Sequence, residues 1–129
     1  VTTLKDIKEL YVLHCVSEYP LPPENVNLKI ISTLQNKFST ISGIGYSDHT
    51  VGIFAPVLAV SMGAKVIEKH ITLDKDMEGT DHILSVEPDE LKEMVKQIRE
   101  VEILLGFSRK ELTDDESANQ HFMRNRFRH

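Results

Sequence analysis

His49 and His70 each close a short run with strand character, Gly45-Tyr46-Ser47-Asp48-His49-Thr50 and Val66-Ile67-Glu68-Lys69-His70-Ile71-Thr72. A third such run, Val12-Leu13-His14-Cys15-Val16-Ser17-Glu18-Tyr19-Pro20, also ends in polar residues. Parallel α/β barrels collect their chemistry at the C-terminal ends of strands and on the loops that follow, and a strand-end histidine pair is where such a fold would put a metal. Side chains alternate across a strand, so Ser47 and His49 share one face, as do Glu68 and His70. The histidines are 70 − 49 = 21 positions apart, one strand-helix-strand repeat, as neighbouring parallel strands require. Spacing alone leaves three roles open to each imidazole: metal ligand, general acid or base, and satisfied polar core residue. As ligands, two imidazoles without a third protein ligand make an open, exchangeable Lewis-acid site rather than a structural one.

Other polar residues divide by position. His14 alternates with Cys15 and falls on the side of Val16, so a core or supporting role is expected for it. Cys15, the single cysteine, sits in an apolar run and is expected to be a buried thiol. Tyr19 falls in the loop after the first run, where its hydroxyl either meets a polar ligand or its ring packs over the rim. A long loop, residues 72–86, carries Asp74, Asp76, Glu78 and Asp81. It lacks the central glycine and terminal bidentate glutamate of an EF-hand, so calcium binding is not expected. Gly79 is instead placed to turn Asp81 and His82 back toward the strand ends.

The elements that must position these residues repeat as strand then helix. Residues 11–16, 43–47 and 65–71 read as short strands of the doubly covered parallel kind. Residues 24–38 carry apolar side chains at helical spacing, and 51–62 form a nearly all-apolar helix in which Pro56 demands a kink or a late start. Gly63 supplies its stop. Residues 88–105 are the best-marked helix, with Pro88 at the first turn, Asp89 and Glu90 at the positive end of the dipole and Gly106 at the exit. Its stripe of Leu91, Met94, Val95, Ile98, Val101 and Leu105 is expected to pack on the sheet. Residues 107–129 lack strong periodicity and end in Arg124, Arg126 and Arg128, as a solvated tail, linker or docking arm would.

Composition bounds the function. With 40% hydrophobic and 27% charged residues among 129, the chain has an ordinary globular balance. A net charge of −5 argues against a general nucleic-acid or anionic-membrane binder, so any anionic substrate must be held by local groups. No apolar stretch reaches the length of a membrane helix. The lone cysteine excludes an intramolecular disulfide and fits a reducing, cytoplasmic setting. The first residues, Val1 to Asp6, have no signal-peptide shape and no initiating methionine, as expected of a chain that begins inside a longer protein. Three strand-helix units are too few for a barrel, which needs eight and about 200 residues or more. An open three-stranded α/β sheet would leave two edges poorly protected, so a piece of a larger barrel is the better account.

In order along the chain, His14-Cys15-Val16-Ser17-Glu18-Tyr19-Pro20 with Pro22-Pro23-Glu24-Asn25-Val26-Asn27-Leu28, then Gly45-Tyr46-Ser47-Asp48-His49-Thr50, Gly63-Ala64-Lys65-Val66-Ile67-Glu68-Lys69-His70-Ile71-Thr72-Leu73-Asp74 and Gly79-Thr80-Asp81-His82 resemble the sialic acid synthase family. That family includes N-acetylneuraminate, legionaminate and pseudaminate synthases. The resemblance runs from about Leu10 to Gly106 and implies an α/β fold consisting of the last three strand-helix units of a TIM (β/α)8 barrel. Residues 1–106 would then be barrel, and 107–129 a tail or linker toward a further domain. It implies condensation of phosphoenolpyruvate with an N-acetylated amino sugar such as N-acetylmannosamine, releasing phosphate.

Carried over by position, the resemblance makes His49 and His70 ligands of a divalent metal, Mn2+ or else Mg2+. It sets Ser47 near the phosphate, Ser17 at a substrate contact where the family commonly has asparagine, and Tyr19 and Asp81 at the amino sugar. The phosphate-holding lysines and an acidic residue near the metal belong to earlier strands, so the 129-residue chain is expected to be inactive alone. Full-length members are expected to be homodimers. A metal-dependent aldolase on a similar barrel, or a non-catalytic barrel fragment, remain the other readings.

Overall fold

The computed structural model describes residues 7–126. Val1 to Asp6 and Phe127 to His129, with Arg128 of the arginine cluster, lie outside the described residues. Three strands, β1 (Tyr11–Cys15), β2 (Gly43–Asp48) and β3 (Val66–Lys69), form a parallel sheet in chain order. The register sets Cys15 opposite Ser47 and Ser47 opposite Glu68, so the three share one face of the sheet. Gly45, on that face, lies between Leu13 and Val66. A Cβ there would come within 2.7 Å of the Val66 carbonyl oxygen and 2.8 Å of the Leu13 side chain, so the close approach requires glycine.

The opposite face holds the core. Ile44 and Tyr46 of β2 are buried with Leu21, Val26, Ile31, Ala59 and Ala64, contributed by the segment after β1, by α1 (Ile30–Lys37) and by α2 (Phe54–Ser61) with its exit. Burial of each large aliphatic side chain contributes about 2 kcal/mol. Among the described residues, helices α1 and α2 pack on this sheet, whereas α3 (Pro88–Leu105) packs on α2. That corrects the expected partner of the α3 stripe. Only Met94 of the stripe is fully buried, and a cleft of about 310 Å³ lined by Ala64, Ile67, Val95, Ile98 and Leu105 opens between β3 and α3.

Local chemistry explains the element ends. The helix expected over 24–38 is broken into a 3-10 turn (Pro23–Asn25) and α1. Asn27 between them adopts φ 50°, and the Val26 carbonyl, which helix continuation would need, accepts a hydrogen bond from His14 Nε2 at 2.7 Å. Pro56 is accommodated by a late start: it is the third residue of α2, where its missing N–H has no intrahelical partner to lose. Gly63 ends α2 at φ 93°, and Gln35 of α1 donates to the part-buried Met62 and Gly63 carbonyls at 3.3 and 3.1 Å. A Glu87/Glu90 capping box starts α3. Lys75 donates to Glu90 at 2.6 Å and holds its carboxyl below the ordinary glutamate range, tying the long loop to α3. The tail is helical over α4 (Asp114–Arg126), capped by reciprocal bonds between Thr113 and Glu116. No helix among the described residues is long and apolar enough to cross a membrane.

Cys15 is exposed, not buried. It projects from the uncovered face of the sheet, opposite to His14, whose ring is buried and stacks on Tyr46 with centroids 5.8 Å apart. Burial and the hydrogen bond to the Asp48 carboxylate push the Tyr46 phenol well above its ordinary value. Folding therefore favours the protonated phenol, a contribution fully present below the unfolded value of about 10 and lost as pH rises past it. In an alkaline titration, the difference between the protein and its Tyr46→Phe variant should show no phenolate absorbance until the chain unfolds. A tyrosinate step assigned to Tyr46 while the near-ultraviolet circular dichroism is still native would contradict this.

Candidate functional site at the strand ends

The parallel register carries β2 and β3 forward in step, so the residues after Asp48 and Lys69 emerge side by side. These are His49 and His70, with ring centroids 5.4 Å apart and planes inclined at 71°. Tyr19, from the loop after β1, lays its ring against His49 with centroids 4.1 Å apart. It meets His70 edge-on at 6.2 Å. Three aromatic side chains, one from the loop after β1 and two from the ends of β2 and β3, thus meet at one end of the sheet.

Each histidine is held differently. His49 is buried, and its Nδ1 lies 2.7 Å from the Val16 carbonyl oxygen. A carbonyl only accepts, so Nδ1 carries a proton, and in the neutral ring Nε2 is then the nitrogen with the lone pair. The His49 carbonyl also accepts from Leu21 N at 2.8 Å. His70 is more open, with 36 % of its side chain exposed, and its Nδ1 lies 3.8 Å from Asp81 Oδ2. Asp81 arrives there because the loop turns at Gly79, where φ is 149°. His82 turns elsewhere, to Thr72, with Nδ1 2.8 Å from Oγ1. Two further bonds close the base of the loop, from Thr72 N to the Val86 carbonyl and from Val86 N to the His70 carbonyl, at 3.0 and 2.9 Å.

Ser47 lies one step inward on the same face as His49 and donates to Glu68 Oε1 at 2.6 Å. Ser17 is exposed just beyond β1. The structure therefore gathers Tyr19, His49, His70 and Asp81 at one end of the sheet, with Ser47 beneath them. Glu68 was not among the expected site residues, although alternation with His70 pointed to its face. Nor were Asp48 and Lys69, which lie on the opposite face as a buried ion pair at 2.7 Å.

The donor set suits a divalent cation in part. Two imidazoles 5.4 Å apart between centroids would offer two nitrogen donors to such a cation. No group of three or more metal-binding side chains occurs among the described residues. Such a pair would leave most of the coordination sphere to oxygen donors from substrate, water or other chain.

Comparison with known proteins places this geometry in context. Residues 1–110 match the NeuB family. The chain is 50% identical over 107 residues to N,N'-diacetyllegionaminic acid synthase of Legionella pneumophila, a match covering 83% of this chain and 30% of that protein. It is 53% identical over 106 residues to human N-acetylneuraminate-9-phosphate synthase, covering 82% and 29%. Among solved structures, the N-acetylneuraminic acid synthetase of Leptospira borgpetersenii, crystallised with citrate, superposes with a TM-score of 0.78 at 39% identity, over 92% of this chain and 41% of that one. The chain spans about 30% of the length of these curated relatives. The fold they share is an α/β arrangement of parallel strands and helices, and with residues 1–110 of 129 matched, the chain belongs to the NeuB family.

Proposed function

We propose that this chain forms the last three strand-helix units of a TIM barrel in a nonulosonic acid synthase, an enzyme that condenses phosphoenolpyruvate with an N-acetylated amino sugar and releases phosphate. The observation that carries the reading is the pairing of His49 and His70 at adjacent strand ends beside Tyr19, with His49 Nδ1 committed to the Val16 carbonyl. Strand ends are where a barrel presents its chemistry, and the uncovered sheet face would line its interior. The reading assigns 1–106 to the barrel and 107–129 to a linker. It also takes the complete enzyme to be a cytoplasmic homodimer.

His49 and His70 would hold a divalent cation, and Mn2+ suits two nitrogen donors better than Mg2+, which demands oxygen ligands in strict octahedral geometry. Bound there, the cation would supply Lewis acidity to the sugar aldehyde. The remaining work falls to side chains. Asp81, beside His70, accepts hydrogen bonds from sugar hydroxyls and so orients the aldehyde carbon toward the enol carbon of phosphoenolpyruvate. Tyr19 walls the site with its ring and offers its hydroxyl to the sugar. Carbon–carbon bond formation leaves a cationic C2, water adds there, and phosphate departs by C–O cleavage. Ser47 reaches the phosphate only by turning its hydroxyl from Glu68, so substrate binding exchanges one hydrogen bond for another. Ser17 lies at the substrate entrance. The positive charge that an anionic substrate needs would come from lysines of the preceding units.

A chimera tests the whole reading: residues of this chain replace their counterparts in the Legionella synthase, and phosphate release from phosphoenolpyruvate and the amino sugar is followed with Mn2+. The chimera should turn over, and His49→Ala or His70→Ala should each lower kcat at least about 100-fold, the scale on which one electrostatic contact acts. Full activity in either variant would contradict the ligand assignment, and condensation without phosphate release would favour an aldolase. The 129-residue chain alone should release no phosphate. Long-range proton–nitrogen spectra should assign His49 as the Nδ1–H tautomer; an Nε2–H tautomer would remove its free lone pair.

A further inference from the structure

On the core side of the sheet, directly behind the two histidines, sits a cluster of charged groups from which solvent is excluded. Asp48 is wholly buried, and the Lys69 side chain is 3 % exposed. They are partners on the last rung of the β2–β3 ladder, so each precedes one of the histidines. Lys69 Nζ donates to Asp48 Oδ2 at 2.7 Å and also to the Thr50 carbonyl. Asp48 Oδ1 accepts from Tyr46 Oη at 2.8 Å and from Thr50 N at 3.0 Å, and Oδ2 accepts from Thr50 Oγ1 at 3.1 Å. Asp48, which precedes His49, is thereby tied to Thr50, which follows it, and both are joined to Lys69, which precedes His70.

Desolvating an ion pair costs about as much as its attraction returns, so an apolar pair of similar volume would stabilise the fold at least as well. What a charged pair adds is direction: hydrogen bonds that hold one backbone geometry. We propose that Asp48 and Lys69 are positioning residues that set the approach of His49 to His70, and through it the affinity of the site for a divalent cation. This rests on the metal reading above. A merely structural role would be restored by any substitution that restores stability.

The test uses the full chain, the single variants Asp48→Asn and Lys69→Met, and the double variant. Urea unfolding gives stability, and electron paramagnetic resonance of free Mn2+ gives affinity. Each single variant strands one buried charge or donor and should be destabilised. The neutral double variant should recover most of that stability while binding Mn2+ at least about tenfold more weakly, as loss of supporting contacts around metal ligands does. Without metal, it should also lose the exchange-protected imidazole proton of His49 in the proton spectrum. Recovery of both stability and wild-type affinity would overturn the positioning role. Should the double variant not fold, Thr50→Val removes one donor to Asp48 and should weaken Mn2+ binding at least about threefold; unchanged affinity in that variant overturns the proposal. If the wild-type chain binds no Mn2+ but the imidazole proton is still lost in the folded double variant, the metal reading fails and the positioning of His49 stands.

Discussion

The carboxylate of Asp48 is the constraint around which the described structure is arranged. Its two oxygens receive four hydrogen bonds, from Tyr46, Lys69 and two groups of Thr50, without access to water. An unpaired ionised carboxylate in that position would cost several kcal/mol even after relaxation, so the surroundings must deliver all their donors together. Tyr46 comes from two residues earlier on the same face of β2, and Lys69 from the neighbouring strand. The tyrosine in turn is the central ring of the core, stacked on His14 and enclosed by the residues that bring α1 and α2 onto the sheet. Packing, strand register and charge satisfaction therefore converge on one point.

Alternation along the strands converts that point into a site. Whatever fixes Asp48 and Lys69 on the core face fixes His49 and His70, one residue on, at the rim of the other. Supporting hydrogen bonds follow the same logic at longer range. Val16, from the chain after β1, fixes the His49 tautomer, while His14, one turn of alternation earlier, reaches away to Val26 and shapes the entry to α1. One histidine run thus serves the core and another serves the rim, and their different faces keep the two roles apart. The loop that delivers Asp81 is secured at its base by backbone pairing with Val86 and on its outside by Lys75 on Glu90. The Val86 N–H donates to the His70 carbonyl rather than to its ring, and the ring stays part-exposed at the rim.

Much of this was legible in the residues alone. Three strands, the α3 boundaries and the shared face of Ser47, His49, Glu68 and His70 follow from short apolar runs, capping residues and period-two alternation. What was not legible depends on partners distant in sequence. The break between the 3-10 turn and α1 arises because His14 captures a carbonyl twelve residues on, which helical spacing cannot foretell. Cys15 reads as core because its run is apolar, yet among the described residues only one face of this sheet is covered. The α3 stripe finds α2 rather than the strands, since a stripe specifies burial but not its partner. Nothing local in the sequence marks Asp48 and Lys69 as a buried pair; their separation of one strand-helix repeat, the same as that of the histidines, was the available signal.

The proposed cation would be shared by two imidazoles from adjacent strand ends. Electron spin-echo modulation of Mn2+ bound to the chimeric synthase, prepared with nitrogen-15 histidine, counts the imidazole nitrogens on the metal directly. The account predicts two coupled nitrogens, falling to one in His49→Ala and in His70→Ala. A spectrum with no histidine coupling, or one unchanged by either substitution, would contradict it.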